Sequence, residues 1–274
     1  MKKTIIERIV DGTPDMKYYA FDWDDNIAHM PTKIYTISDE GEEVGISTED
    51  FAVLRDRIGK EPFSYKGDVV VGYAENPFKD FSVFGDKQFL IDALRAKPGP
   101  AWNDFVEAVN NGSIFAIITA RGHHPNTIKE AIYSMIVKNY EGLDKDRLIK
   151  NLKKYREYAG EEEMSDSELI KSYLEMNRYH PVSFGEDVGA AKPEELKVKA
   201  MEDFVRYVKA MAAILHKKAF LKKDLGFKFA PVPVPTIGFS DDDEKNLDVM
   251  KKHFEKLDEP IKTYSTKGGI KKEY

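Results

Sequence analysis

Tyr18-Tyr19-Ala20-Phe21-Asp22-Trp23-Asp24-Asp25-Asn26-Ile27 is the stretch that decides the fold. An apolar run stops abruptly at three acids, Asp22, Asp24 and Asp25. A strand buried on both faces of a parallel sheet reads as such a run, without alternation. Its carboxyl end is where open α/β sheets bind ligands. On an extended strand end, the period of two points Asp22 and Asp24 to the same side. Neighbouring carboxylates repel unless a cation or a shared proton intervenes. With backbone carbonyls nearby, a hard, oxygen-loving ion such as Mg²⁺ suits them. A solvated acidic turn is the competing interpretation, and this stretch alone does not choose between the two.

Working outward, the same event recurs. Ile114–Ile118 is a second continuous apolar strand, tipped by Thr119-Ala120-Arg121-Gly122. Tyr179–Phe184 is a candidate third strand, weakened by Pro181. Thr236–Phe239 is a fourth, tipped by Ser240-Asp241-Asp242-Asp243, and Ile261–Tyr264 a fifth. Between them the spacing predicts helices. Ala101–Asn110 carries Trp102, Phe105, Val106 and Val109 and closes at Asn110-Asn111-Gly112. Pro125 opens another, residues 126–176 hold two or three, and Pro193 opens a long one to about Lys222. Residues 244–257 place Leu247, Met250, Phe254 and Leu257 on one face. Strand, polar tip, helix, repeated, implies a doubly wound, Rossmann-like α/β fold with a parallel sheet and right-handed crossovers. The tips then share one sheet edge, which collects Asp22, Asp24, Thr119, Lys192, Asp241 and Asp242.

Residues 28–97 break the rhythm. Lys33–Ile37 and Glu43–Ile46 read as a hairpin, and Ser47-Thr48-Glu49-Asp50 as the capped start of a helix. A stretch rich in Gly, Pro and aromatics follows, with Phe63, Tyr65, Tyr73, Phe78, Phe81 and Phe84. So many rings do not suit a loose linker. The expectation is an inserted subdomain whose aromatics form its own small core rather than a ligand platform. The main unit then comprises 1–27 and 98–274, with a helical insert at about 126–178. Residues 1–17 read as an edge strand or lead-in, and Lys267–Tyr274 as a frayed tail.

The whole chain bounds the function classes. At 274 residues it can bury a large core. A net charge of −6 argues against a dedicated nucleic-acid surface without excluding a local basic groove. The absence of cysteine rules out disulfides, thiolate chemistry and cysteine zinc sites. No apolar run reaches the roughly 20 residues of a membrane span, and the first residues do not read as a signal peptide. A cytoplasmic protein without membrane partners is the expectation.

Carboxylates around one Mg²⁺ make a site for a phosphate dianion. One carboxylate can attack phosphorus, and a second can protonate the leaving oxygen and then deprotonate water. A hydroxyl and a lysine would hold the non-bridging oxygens. The residues here also carry a resemblance. Phe21-Asp22-Trp23-Asp24-Asp25-Asn26 resembles the first motif of the haloacid dehalogenase-like (HAD) hydrolases. Ile114-Phe-Ala-Ile-Ile-Thr119 resembles the second, Lys192-Pro193 the third, and Ile237-Gly-Phe-Ser-Asp241-Asp242 the fourth, in family order.

The resemblance implies an Mg²⁺-dependent phosphatase working through an aspartyl-phosphate on a small phosphorylated substrate. Asp22 would be nucleophile and metal ligand. Asp24 would be the general acid/base and lend its backbone carbonyl to the metal. Thr119, Ala120 and Lys192 would bind the phosphoryl group. Asp241 would ligate the metal with Asp242 behind it. Residues 28–97 occupy the place of a substrate-selecting cap. Asn26 stands where Thr or Val is usual and can still cap the turn. Three acids in the fourth motif leave Asp242 or Asp243 as the second ligand. Lys197 and Lys199 compete with Lys192 for the phosphate. Arg121 and His123 are further candidates for substrate contact. The alternatives are a phosphomutase or phosphotransferase, a phosphatase of polynucleotide ends using lysines in 192–223, and a non-catalytic binding module on the same fold.

Overall fold

Strand β1 (Lys17–Phe21) is flanked on both sides by parallel strands. Its register sets Phe21 beside Ser240 on one side and Ile117 on the other. The computed structural model describes residues 17–159, 162–185, 192–221, 235–257, 259 and 261–274. Within them the chain is mixed α/β, with eight α-helices and a mostly parallel six-stranded sheet. The order of elements in the first part is β2 (Ala28–His29), β3 (Lys33–Ser38), β4 (Glu43–Ser47), α1 (Thr48–Leu54), β5 (Phe63–Tyr65), β6 (Asp68–Tyr73), α2 (Asp86–Ala93) and β7 (Lys97–Pro98). There follow α3 (Trp102–Asn110), β8 (Phe115–Thr119), α4 (Pro125–Val137), α5 (Lys145–Ala159), α6 (Asp166–Met176) and β9 (Arg178–Pro181). The last part holds α7 (Pro193–Leu221), β10 (Thr236–Asp241), α8 (Glu244–Lys256), β11 (Lys262–Ser265) and β12 (Lys272–Glu273).

The main sheet runs β12-β11-β10-β1-β8-β9, and only β12 is antiparallel. Alternate residues of the central strands feed two separate cores, the reason these strands read as unbroken apolar runs. Phe21, Phe115 and Ile117 pack with α2 to α6 through Phe89, Phe105, Ile132, Leu152 and Tyr173. Tyr18, Ala20, Ala116, Ile118 and Phe239 pack on the other side with Met201, Phe204 and Val208 of α7 and Leu247, Met250 and Phe254 of α8. The chain winds outward from β1 to β9, then restarts next to β1 at β10. That reversal leaves a crevice at the carboxyl ends of β1 and β10.

Residues 33–73 fold apart from this sheet. β4-β3-β6-β5 form a four-stranded antiparallel sheet over its own cluster of Val44, Ile46, Ile58, Phe63, Tyr65 and Val70. Ser47 caps α1 by accepting from the Asp50 N–H, as expected. The insertion ends earlier than the sequence suggests. Phe89, Ala93 and Ala96 are buried in the main core with Trp23 and Ile128, so α2 belongs to the larger unit. β2 and β7 pair at the neck of the insertion, Ala28 opposite Pro98. Gly99 is required there, because a Cβ would lie 2.5 Å from the Asn26 carbonyl oxygen. This close approach lets Gly99 and Ala101 donate to the carbonyls of Ile27 and Asn26, which pins the acid loop.

Two other expectations change. The tail is not frayed: β12 pairs with β11, and the Tyr274 N–H donates to Thr263 O at 2.9 Å. Leu257 is 49% exposed, beyond the last turn of α8. Pro181, which weakened the third strand, sits on the edge strand β9, where a missing N–H costs no ladder bond. The readings of residues 1–16, 186–191 and 231–234 lie outside the described residues.

Candidate active site

The β1–β10 crevice gathers three carboxylates. Asp22 follows β1 directly, held by its N–H to Ser240 O at 2.9 Å. Asp241 ends β10 and Asp242 follows it. Oxygens of Asp22, Asp241 and Asp242 all lie within 4.8 Å of one another. Lys197, on the second turn of α7, reaches between them, with Nζ 2.9 Å from Asp22 Oδ1 and 2.7 Å from Asp241 Oδ2. It is 2% exposed, and Asp241 is fully buried. Asp241 also accepts from the Asp243 N–H at 2.9 Å and from Asn246 Nδ2 at 3.0 Å on both oxygens. Asn246 escaped the sequence reading because an Asn in the first turn of an acidic-capped helix carries no distinguishing pattern.

The charges do not balance, and protonation reflects it. Three acids face one ammonium in a place where water is scarce. Burial, reinforced by Asp241 and Asp24, pushes the Asp22 carboxyl up to about 8 against the pull of Lys197. Burial, with Asp241 and Asp22, pushes Asp242 up to about 9. Burial works against the Lys197 charge, but Asp22 and Asp241 together outweigh it and hold the lysine protonated. Asp22 and Asp242 are pushed up together, and the extra proton belongs to the two rather than to either alone.

This has a consequence for stability. The folded protein binds protons that the unfolded chain, with Asp near 3.8, has already released. Stability without metal therefore falls as pH rises from about 4 through the folded values near 8 and 9. Lys197 adds no slope in that window, since its folded value lies above it. Thermal melts in chelator should show Tm declining between about pH 6 and about pH 9, with added Mg²⁺ restoring most at the alkaline end. A Tm that is flat or rising over this range would remove the cluster as a proton store.

The Asp24 side chain lies outside this trio. The chain bends sharply at Asp25, which has φ +52°. Trp23 turns into the core against Phe89, with ring centroids 5.3 Å apart. Asp24 then meets Arg121 in a two-pronged pair, Nε to Oδ2 and Nη2 to Oδ1, both 2.7 Å. Asp242, expected behind the metal ligands, takes the third place in the carboxylate trio instead.

Arg121 and His123 are not on offer to a substrate as expected; both are buried. Arg121 also donates to Thr32 Oγ1 at 2.8 Å and lies 3.0 Å from His123 Nε2. His123 Nδ1 is 2.8 Å from Asp86, which accepts from Thr127 as well. Burial, then the Arg121 charge, holds His123 below the ordinary imidazole range despite Asp86. The pattern is a second layer: Asp24 is oriented by Arg121, and Arg121 by Thr32, His123 and the rings of Phe81 and Phe89. Bidentate Arg–carboxylate pairs of this kind fix direction as well as charge.

The remaining predicted positions divide. Thr119 is buried at the tip of β8, its Oγ1 accepting from the Arg121 N–H at 3.3 Å, and Ala120 is exposed beside it. Asn26 is a tie: Nδ2 donates to Asp22 O and Ser240 Oγ, and Oδ1 accepts from Thr266, joining the ends of three strands. Lys192 is exposed just before α7 and Lys199 is exposed on it, so neither lies with the acids. Five residues separate Lys192 from Lys197, about 140° around a helix, so the two cannot share a direction. Asp243 caps α8 and pairs with Arg55, just past the end of α1, at 3.0 Å.

Comparison with protein-family models, with curated proteins and with solved structures finds no match. The fold defines an α/β protein with a buried acid–lysine cluster at the switch point of its sheet. No helix among the described residues is long and apolar enough to cross a membrane.

Proposed function

We propose that the chain is an Mg²⁺-dependent phosphomonoester hydrolase of the HAD type, with residues 33–85 as its cap. One observation carries this reading: Asp22, Asp241 and Asp242 converge within 4.8 Å around Lys197 at the β1–β10 crevice. Three carboxylates, those of Asp22 and Asp241 buried and that of Asp242 half-buried, against one ammonium form a set that is short of positive charge and rich in hard oxygen donors, which fits Mg²⁺. Asp22, Asp241 and Asp242 would hold the ion, which supplies charge neutralisation for a phosphate dianion.

The chain's own groups supply the rest. Asp22 attacks phosphorus, forming an O–P bond as the bond to the leaving alcohol oxygen breaks. Asp24 donates a proton to that oxygen, and later takes one from the water that cleaves the aspartyl-phosphate. In the structure both Asp24 oxygens accept from Arg121, an arrangement ready for the second displacement. For the first, one of those two bonds must open. Lys197 neutralises phosphoryl oxygens, and Thr119 with the backbone at Ala120 holds them at the tip of β8.

The test is release of inorganic phosphate from a simple phosphomonoester. Chelation should lower the rate at least about 100-fold, and Mg²⁺ should restore it. Turnover that is indifferent to chelator rejects the metal-assisted reading.

A further inference from the structure

Part of the aromatic stretch of the inserted segment stays out of that segment's core. The core holds Phe63 and Tyr65 among aliphatics, with Phe51 only partly packed against it. Tyr73 and Phe78 remain 41% and 36% exposed. These rings instead contact one another: Phe51–Phe78 at 5.7 Å, Tyr73–Phe78 at 6.2 Å, Phe51–Tyr73 at 6.4 Å and Phe78–Phe81 at 6.3 Å between centroids. Isolated exposed rings are ordinary on a protein surface, but a contiguous half-exposed group is not.

Both ends of the group are tied to the acid site. Phe81 lies under the Arg121 guanidinium at 4.5 Å, and Arg121 grips Asp24. At the other end Arg55, which closes α1 one turn beyond Phe51, pairs with Asp243, whose N–H holds Asp241. Its charge also reaches the Tyr73 hydroxyl, where it opposes the upward push of burial. The rings therefore span from the Asp24 side of the crevice to the Asp241 side. Flat, partly wet ring faces beside a guanidinium fit a flat, polar-edged group.

Resting on the phosphomonoester reading, we infer that Phe51, Tyr73 and Phe78 are the stacking face for the base of a nucleoside monophosphate whose phosphate reaches Asp22. Arg55 borders that face and meets the polar edge of the base.

The experiment is calorimetric titration of the full-length Asp22→Asn protein, in Mg²⁺, with adenosine 5′-monophosphate and separately with ribose 5-phosphate. The nucleotide should bind about tenfold or more tightly, the factor that one base–aromatic stack supplies. In Tyr73→Leu and Phe78→Leu, made on the same background, that ratio should fall toward one. Both positions are partly exposed, so neither change empties a core. Equal affinity for the two compounds, no binding of either, or a ratio that survives both substitutions overturns the inference. Hydrolysis of acetyl phosphate, which has no ring, tests the reading beneath it. A chain that hydrolyses acetyl phosphate but shows no base preference keeps the chemistry and loses the platform. One with the preference but no hydrolysis does the reverse.

Discussion

Asp22→Asn should abolish phosphomonoester hydrolysis, lowering kcat by on the order of 10⁴-fold or more, as expected when an attacking group is removed outright. An amide of the same shape cannot attack phosphorus, and the other acids of the crevice have their own partners or places. Asp241 is held in place by Lys197, Asn246 and the Asp243 N–H, and Asp24 is turned to Arg121. Folding should survive. The Asp22 carboxyl is pushed up to about 8 by burial, so its charge is a burden near neutral pH, and a neutral amide relieves it. The expected pair of results is an inactive protein with a Tm equal to or above that of the parent at about pH 8. Retention of more than about a tenth of the parent rate would falsify the assignment of Asp22 as nucleophile.

The second large effect concerns Lys197→Met. The substitution keeps the length and removes the ammonium. It leaves Asp22 and Asp241 facing each other in a buried place, each short of its bond to Nζ. Breaking a buried pair by deleting one partner costs roughly 3–5 kcal/mol. Here the loss has a pH dependence whose sign is fixed. Without the lysine the acids must take up protons to stay folded, which costs more as pH rises. Urea denaturation should therefore show a loss of about 3 kcal/mol or more near pH 8 and a smaller loss near pH 5. Mg²⁺ should recover part of it by binding the freed carboxylates. A change below about 0.5 kcal/mol near pH 8 would mean that the lysine is not what reconciles these acids.

Sequence periodicity is enough for the layered α/β fold, because a buried parallel strand has no solvent face to alternate with. The runs at 18–21, 115–119 and 236–241 are strands for that reason, and each ends in residues unsuited to a core. Pro125 and Pro193 mark helix starts because a missing N–H costs nothing at that position. Asp22, Thr119 and Asp241 are legible for the same reason: they are the tips, and tips of parallel strands meet at one edge.

Three matters needed the tertiary structure. Which lysine joins the acids depends on the rotation of α7 about its axis. Lys192, Lys197 and Lys199 are equivalent as letters, and packing of Val198, Met201 and Phe204 into the second core turns Lys197 toward Asp22. Which acid joins the trio depends on the bend at Asp25, which sends Asp24 to Arg121 across a separation of 97 residues. Where the insertion ends depends on Phe89, whose apolar ring would suit either core and is claimed by the larger one. Strand tips are local consequences of composition. Helix rotation, loop direction and the choice between two cores are settled by long-range packing, which no local pattern of residues encodes.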